Sequence, residues 1–318
     1  MSVAGRELLP MAFLAEARAN GIAGGLVVIA GIDGGAPKPT GTYMAVLEDG
    51  RHCGNISGGC VEPAVAAAVL PIIAGATDRI VTFGKGSPYM DIRFPCGGGI
   101  DLLVHCSPSE QMLLEALRKA EARQPFGIAF DAGASASALI DLPPLTGMQD
   151  GVFLRRHLPR TRLVLAGRGP DFEVTARVAA AAELELLLIT PDADTADALS
   201  DLDARTEIIT STRQRPLIPL DAWTAVALLF HEHEWEDTII GHAVSAPCFY
   251  IGALGSERTR AVRSRRLAAA GMAADQIARI RGPIGLVPHA KDASTLALSL
   301  LAEIAAVRAS AEACVPPG

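Results

Sequence analysis

Leu165-Ala166-Gly167-Arg168-Gly169-Pro170-Asp171-Phe172 closes the apolar run Arg162 to Ala166 and opens an alanine-rich stretch, Phe172 to Ala182. An apolar run, two glycines one residue apart and a helix-spaced stretch describe a strand turning sharply into a helix. The glycines let the chain turn tightly and bring helix N-terminal amides close to an anion. From there strand and helix alternate. Leu184 to Ile189, Glu207 to Thr210, Ala225 to Phe230 and Cys248 to Ala253 read as strands. Asp194 to Leu202, Asp237 to Val244, Arg258 to Ala270 and Ala293 to Val307 read as helices. This alternation predicts a parallel sheet with helices on both faces, a Rossmann-like domain over 161–318.

Phe172 stands where the dinucleotide fingerprint carries its third glycine, and Asp192 follows the next strand roughly where a ribose ligand lies. An NAD(P)-dependent oxidoreductase is therefore the alternative function to weigh. A tight turn with a differently used pocket explains the same residues.

Upstream the texture differs. Arg6 to Asn20 reads as an amphipathic helix and Gly24 to Ala30 as a strand. Tyr43 to Ile56 reads as a hairpin about Glu48-Asp49-Gly50, Val61 to Ala74 as a helix, and Arg79 to Phe83 and Ile100 to Cys106 as strands. A helix over Ser109 to Arg123 completes an N-terminal mixed α/β domain over 1–130. Small residues, Pro143-Pro144 and Gly147 make 131–160 a linker with at most a short hairpin.

Half of the 318 residues are hydrophobic, few are aromatic and alanine is abundant, which suits helices packed on Val/Ile/Leu sheets. A net charge of −7 and a sequence pI near 5.5 argue against nucleic acid, and Arg258 to Arg266 reads as a solvated helix face. No apolar run reaches the ~18 residues of a membrane helix. The N-terminal sequence lacks an export pattern, so the expected compartment is the cytoplasm and the six cysteines are expected as reduced thiols.

Two cysteines sit among glycines: Ser57-Gly58-Gly59-Cys60-Val61-Glu62 and Pro95-Cys96-Gly97-Gly98-Gly99. Neighbouring glycines leave amides free to approach an anion, and an ionised thiol is a metal ligand or nucleophile. Cys60 comes just before a helix start, where the dipole favours thiolate. Cys60 and Cys96 are thus the candidate metal ligands, while Cys53, Cys106, Cys248 and Cys314 read as packing residues. His231 and His233 would share one side of a strand, a pair without a fixed third ligand. Gly255-Ser256 opens a helix and offers either an anion contact or an N-cap.

In order along the chain, these segments resemble the xanthine dehydrogenase accessory factor family (XdhC/CoxI). Gly35 to Gly41, Ser57-Gly58-Gly59-Cys60-Val61-Glu62 and Cys96-Gly97-Gly98 are similar to its N-terminal signatures. Phe249 to Ser256, Arg281 to Leu286 and Ala297 to Ile304 resemble its C-terminal Rossmann-like half. The resemblance implies an accessory factor, not an enzyme: it would bind the molybdenum cofactor in its molybdopterin form as cargo. It would protect the cofactor, support its sulfuration and pass it to an apo molybdenum hydroxylase of the xanthine dehydrogenase or aldehyde oxidoreductase type. Cofactor biosynthesis or sulfuration enzymes are the further expected partners, and a homodimer is among the expected assemblies. The expected cofactor-binding set is Ser57, Gly58, Gly59, Cys60, Glu62, Cys96, Gly97, Gly98, Gly167, Gly169, Gly255 and Ser256. Phe172 and the segment Val287-Pro288-His289-Ala290-Lys291-Asp292 depart from the family pattern.

Overall fold

The computed structural model describes residues 5–59, 61–84 and 97–313. The chain divides after Pro159 into two compact units.

The N-terminal unit opens with α1 (Gly5–Ala19), then β1 (Gly24–Asp33), β2 (Tyr43–Leu47), β3 (His52–Gly54) and α2 (Glu62–Ala74). β4 (Arg79–Gly84), β5 (Gly99–His105) and α3 (Glu110–Glu121) follow. These strands form one antiparallel sheet of order β3-β2-β1-β5-β4. β1 is central and buried on both faces. Leu26, Val28 and Ala30 meet Leu8, Met11 and Leu14 of α1 and Met112, Leu113 and Ala116 of α3. Val27 and Ile29 meet Val65, Val69 and Ile73 of α2.

Residues 131–160, expected as a linker, instead carry most of a second antiparallel sheet. Its strands are β6 (Phe126–Asp131), β7 (Ala136–Ile140), β8 (Gly147–Gln149) and β9 (Val152–His157), in the order β7-β6-β9-β8. Phe126, Ile128, Phe130 and Phe153 anchor it in the same core as α1 and α3. Its turns and edge are made of Ala, Ser, Gly and Pro, which hide the alternation by which a strand is read.

The C-terminal unit contains β10 (Arg162–Gly167), α4 (Pro170–Ala181), β11 (Glu185–Thr190), α5 (Ala193–Ala198), β12 (Ala204–Ile208) and β13 (Thr224–Leu229). It continues with α6 (Glu236–Val244), β14 (Tyr250–Ala253), α7 (Glu257–Ala269), α8 (Ala274–Ala278), β15 (Ile280–Arg281) and α9 (Ala293–Ala313). All ladders are parallel, in the order β12-β11-β10-β13-β14-β15. Counted from β10 this is the 3-2-1-4-5-6 order of doubly wound folds, with its switch point between β10 and β13. α6 and α7 cover one face through Ile239, Ile240 and Leu267. α4 and α9 cover the other through Phe172, Ala176, Leu296, Leu300 and Ile304. α9 is long and apolar enough to cross a membrane by length and composition. Its buried stripe and its Glu303, which accepts from Tyr250 Oη at 2.9 Å and from the Gly285 amide at 2.7 Å, mark it as a core helix here.

Candidate functional site

One end of the five-stranded sheet gathers the cysteine-bearing loops. β1 ends there at Asp33 opposite Gly99, β4 ends at Gly84 opposite the same Gly99, and β3 ends at Gly54 opposite Met44. The described segments 34–42, 55–59 and 97–98 therefore lie at this end. Ile56, Val61 and Ile100, which flank two of them, pack in one core cluster with Ala36 from the third. Non-local pairing thus brings together Ser57, Gly58, Gly59 and Glu62 with Gly97 and Gly98. Cys60 and Cys96, the expected metal ligands, lie outside the described residues, as does Cys314.

Within the second loop, Glu62 acts as a staple. Its carboxylate accepts from the Ser57 amide at 2.8 Å, from Ser57 Oγ at 2.9 and 3.0 Å, and from the Val61 amide at 3.2 Å. Both side chains are buried. Burial alone would raise the Glu62 pKa, yet the donors from Ser57 and Val61 outweigh it and hold the carboxyl below its usual range. Ser57 and Glu62 therefore shape the loop and are positioning residues. The open positions are the glycines: a Cβ at Gly58, Gly59 or Gly97 would meet nothing within 4 Å among the described residues. Gly59 has φ +100°, which L side chains avoid. Gly98 differs: it is buried, and a Cβ there would collide with the carbonyl oxygens of Gly35 and Asp33. Its role is to let two loops cross backbone to backbone.

The remaining described cysteines do not favour thiolate. Burial pushes the Cys106 thiol up to about 11, helped by the negative charge of Asp78. Burial likewise pushes Cys248 up to about 11 and raises Cys53. Among the described residues no group of three or more His, Cys, Asp or Glu converges on a metal position.

In the C-terminal unit Gly167, Gly169, Gly255 and Ser256 sit at the carboxyl edge of the parallel sheet, where open α/β folds hold ligands. Most polar groups there already have partners. A Cβ at Gly167 would lie 2.8 Å from the Leu229 carbonyl oxygen, so this glycine serves strand packing. Gly169 is the N-cap residue of α4. Phe172 is fully buried against the sheet and holds α4 by filling space, where the fingerprint's third glycine would allow close approach. Asp192 accepts from the Thr195 amide at 3.1 Å and Thr195 Oγ at 2.5 Å, capping α5. Ser256 Oγ accepts from the Thr259 amide at 3.2 Å, capping α7. Arg168 reaches across the switch point to Glu232 at 2.6 Å.

The paired-histidine reading does not hold, because strand geometry ends at Leu229. His231 lies 3.8 Å from Asp171, and His233, in a short 3-10 turn, contacts Glu236 at 3.1 Å. Glu236 is fully buried and receives Arg263 Nε at 2.8 Å and Nη2 at 3.0 Å, while Arg263 also donates to the Leu254 carbonyl at 2.6 Å. The sequence reading missed this pair, as it missed Glu303–Tyr250 and a chain linking Asp78, His105 and Ser137. Each joins residues far apart in sequence, and only their buried polar character could have drawn notice.

A family model described as the XdhC Rossmann domain matches residues 163–304. One described as the XdhC and CoxI family matches residues 17–84. The molybdenum cofactor insertion chaperone PaoD of Escherichia coli (strain K12) is 38% identical over 307 residues, covering 96% of this chain and 90% of that protein. A probable xanthine dehydrogenase subunit of Bacillus subtilis (strain 168) is 25% identical, over 89% of this chain and 92% of the other. The crystal structure of a xanthine dehydrogenase from Bacillus halodurans aligns with a TM-score of 0.74 at 18% identity, over 96% and 98% of the two chains. That last likeness carries the fold alone.

Proposed function

Because the chain belongs to the XdhC and CoxI family, we propose that it is a molybdenum cofactor insertion chaperone, an accessory factor and not itself a molybdenum hydroxylase. The observation that carries this is the 38% identity to an insertion chaperone along 96% of the chain. It receives the cofactor as cargo, in its molybdopterin form, and hands it to an apo molybdenum hydroxylase of the aldehyde oxidoreductase or xanthine dehydrogenase type. Enzymes of cofactor biosynthesis or sulfuration are its upstream partners. Cys53, Cys106 and Cys248, free thiols among the described residues, support a cytoplasmic setting, and a homodimer is the proposed assembly.

The cargo sits at the glycine-rich end of the N-terminal sheet. Amides of Gly58, Gly59 and Gly97 approach the anionic phosphate, and the thiolates of Cys60 and Cys96 reach for the molybdenum, a soft enough centre to favour them. Support comes from the open space at these glycines and from the Ser57–Glu62 staple, which fixes one loop from below. Gly167, Gly169, Gly255 and Ser256 are assigned a lesser part as amide donors of the C-terminal unit. The test is purification from cells that make the cofactor, with molybdopterin assayed as its oxidised fluorescent product, followed by mixing with an apo-hydroxylase. Co-purifying molybdopterin that restores hydroxylase activity is the expected result. Protein without molybdopterin, from cells whose own hydroxylases are loaded, overturns the reading.

A further inference from the structure

At the end of the N-terminal sheet opposite the glycine loops, three polar side chains from distant segments form one hydrogen-bonded chain. Ser137 Oγ on β7 lies 2.8 Å from His105 Nε2. His105 Nδ1, at the end of β5, lies 2.5 Å from Asp78 Oδ2. The other Asp78 oxygen accepts from the Cys106 amide at 2.9 Å. An ionised carboxylate only accepts, so it keeps the ring proton on Nδ1. Nε2 is then a lone pair facing the hydroxyl, the tautomer a general base needs.

The geometry is held from several sides. The His105 and Asp78 side chains are each 1% exposed, which keeps water from competing for them. Phe130 meets the imidazole edge to face at 5.7 Å. The Asp78 amide donates to Ser135 Oγ at 2.9 Å, tying the acid to the hairpin that carries Ser137. Ser137 itself remains partly exposed, unlike its two partners. It shares a strand face with Leu139, two residues on. Leu139 lines a groove whose far wall is α3, with Ser109, Met112 and Leu114. In the first turn of α3 the Met112 amide already donates to Ser109 Oγ at 3.1 Å, which leaves the Glu110 and Gln111 amides as those assigned to a developing oxyanion.

We propose that Ser137, His105 and Asp78 form a second, hydrolytic site that cleaves carboxylic esters of short apolar acyl groups. Ser137 Oγ bonds to the ester carbonyl carbon as its proton passes to His105 Nε2. The carbon–oxygen bond to the alcohol breaks, and the departing alkoxide takes that proton. Water then attacks the acyl-serine, giving a proton to His105; cleavage releases the carboxylic acid, and Ser137 recovers its proton. This site is independent of the cofactor loops and stands whether or not the chain carries molybdopterin.

The experiment treats the full-length protein with a fluorophosphonate probe, maps the adduct by peptide mass, and follows 4-nitrophenyl butyrate hydrolysis. One adduct on Ser137 is expected, with hydrolysis lost in folded Ser137→Ala. Asp78→Asn should slow labelling by about 10⁴-fold through the wrong tautomer. Should that variant fail to fold, the wild-type adduct map decides alone. Folded wild type that leaves Ser137 unlabelled where a control serine hydrolase reacts fully, or Ser137→Ala that hydrolyses the ester unchanged, overturns the proposal.

Discussion

The loop end of the N-terminal sheet and the carboxyl edge of the C-terminal sheet are both built from glycines at strand ends, yet their polar groups are arranged in opposite ways. In the first, Ser57 and Glu62 bind each other beneath the loop and leave Gly58 and Gly59 exposed. In the second, Arg168 pairs with Glu232 across the turn, while Asp192 and Ser256 cap helices. Amides with room in front of them can take a ligand. A mouth whose side chains already hold one another must break those contacts first. Glycine at a strand end is thus a weak guide to a ligand, and the state of its polar neighbours decides.

The contrast is broken most forcefully through Glu236. Arg263→Met removes the bidentate partner of that buried carboxylate and leaves it only His233 at 3.1 Å and Arg266 Nη2 at 3.4 Å. This should cost about 3 kcal/mol of stability, the low end for breaking a buried pair. Chemical denaturation would read the loss, and molybdopterin bound per folded molecule should stay at the wild-type level. Cofactor loss at unchanged stability would mean that the C-terminal edge carries more of the cargo than the lesser part assigned to it.

Next in size is the thiol comparison. Cys60 immediately precedes Val61, the N-cap residue of α2, in sequence. A helix N-terminus favours an anion by only roughly 0.3–1 kcal/mol, so the proposed thiolate relies on metal contact for the rest. Cys60→Ala should lower retained molybdopterin about tenfold, near the lower end of what removing a metal-site contact costs. Cys96→Ala should lower it less, and Cys248→Ala should leave it near wild type. Equal retention in Cys60→Ala and wild type, with circular dichroism intact, makes Cys60 a structural residue.

Glu62→Gln sharpens the same comparison from below, because an amide group would face the Ser57 or Val61 donors. A penalty of roughly 1–3 kcal/mol is expected. The sign with pH follows from the depressed Glu62 pKa. Its contribution is present above the unfolded value near 4.3 and is lost as pH falls through the lower folded value. Wild type and Glu62→Gln should therefore converge in stability as pH falls through that lowered folded value, and a gap that persists in strong acid would assign the bond to some other group.

The smallest expected effect is none. Millimolar NAD or NADP should not move the melting temperature, whereas a ligand at 100 times its Kd stabilises by about 2.7 kcal/mol. A rise of several degrees would return the dinucleotide reading to the C-terminal unit.

The sequence made the parallel half legible because its signals are local. Gly167 and Gly169 punctuate a strand and a helix within eight residues, and each later strand is an apolar run between turns. The pairing of β10 with β13 instead of β12 is set by packing across the sheet and leaves no local mark. The β6–β9 sheet was obscured because Ala136, Ser137 and Ala138 lack the bulk that shows a period of two. Among site residues, the Gly58-Gly59 and Gly97-Gly98 loops were readable as motifs. Glu62 was read as a ligand and is a staple, since its bonds depend on how the chain doubles back from Ser57. Glu236 gave no signal at all: its partner Arg263 is 27 residues away.

Phe172 also limits what this fold can become. Restoring a glycine there would open a void beneath α4, a loss of about 3–5 kcal/mol if it behaves like other buried phenylalanines cut to small residues. Such a loss can equal the whole stability of an ordinary domain. A single change to the fingerprint's glycine is therefore costly, and neighbouring side chains would first have to grow to occupy the space. The doubly wound sheet and its glycine turn are thus held by a side chain whose removal would cost the fold before it could widen the turn.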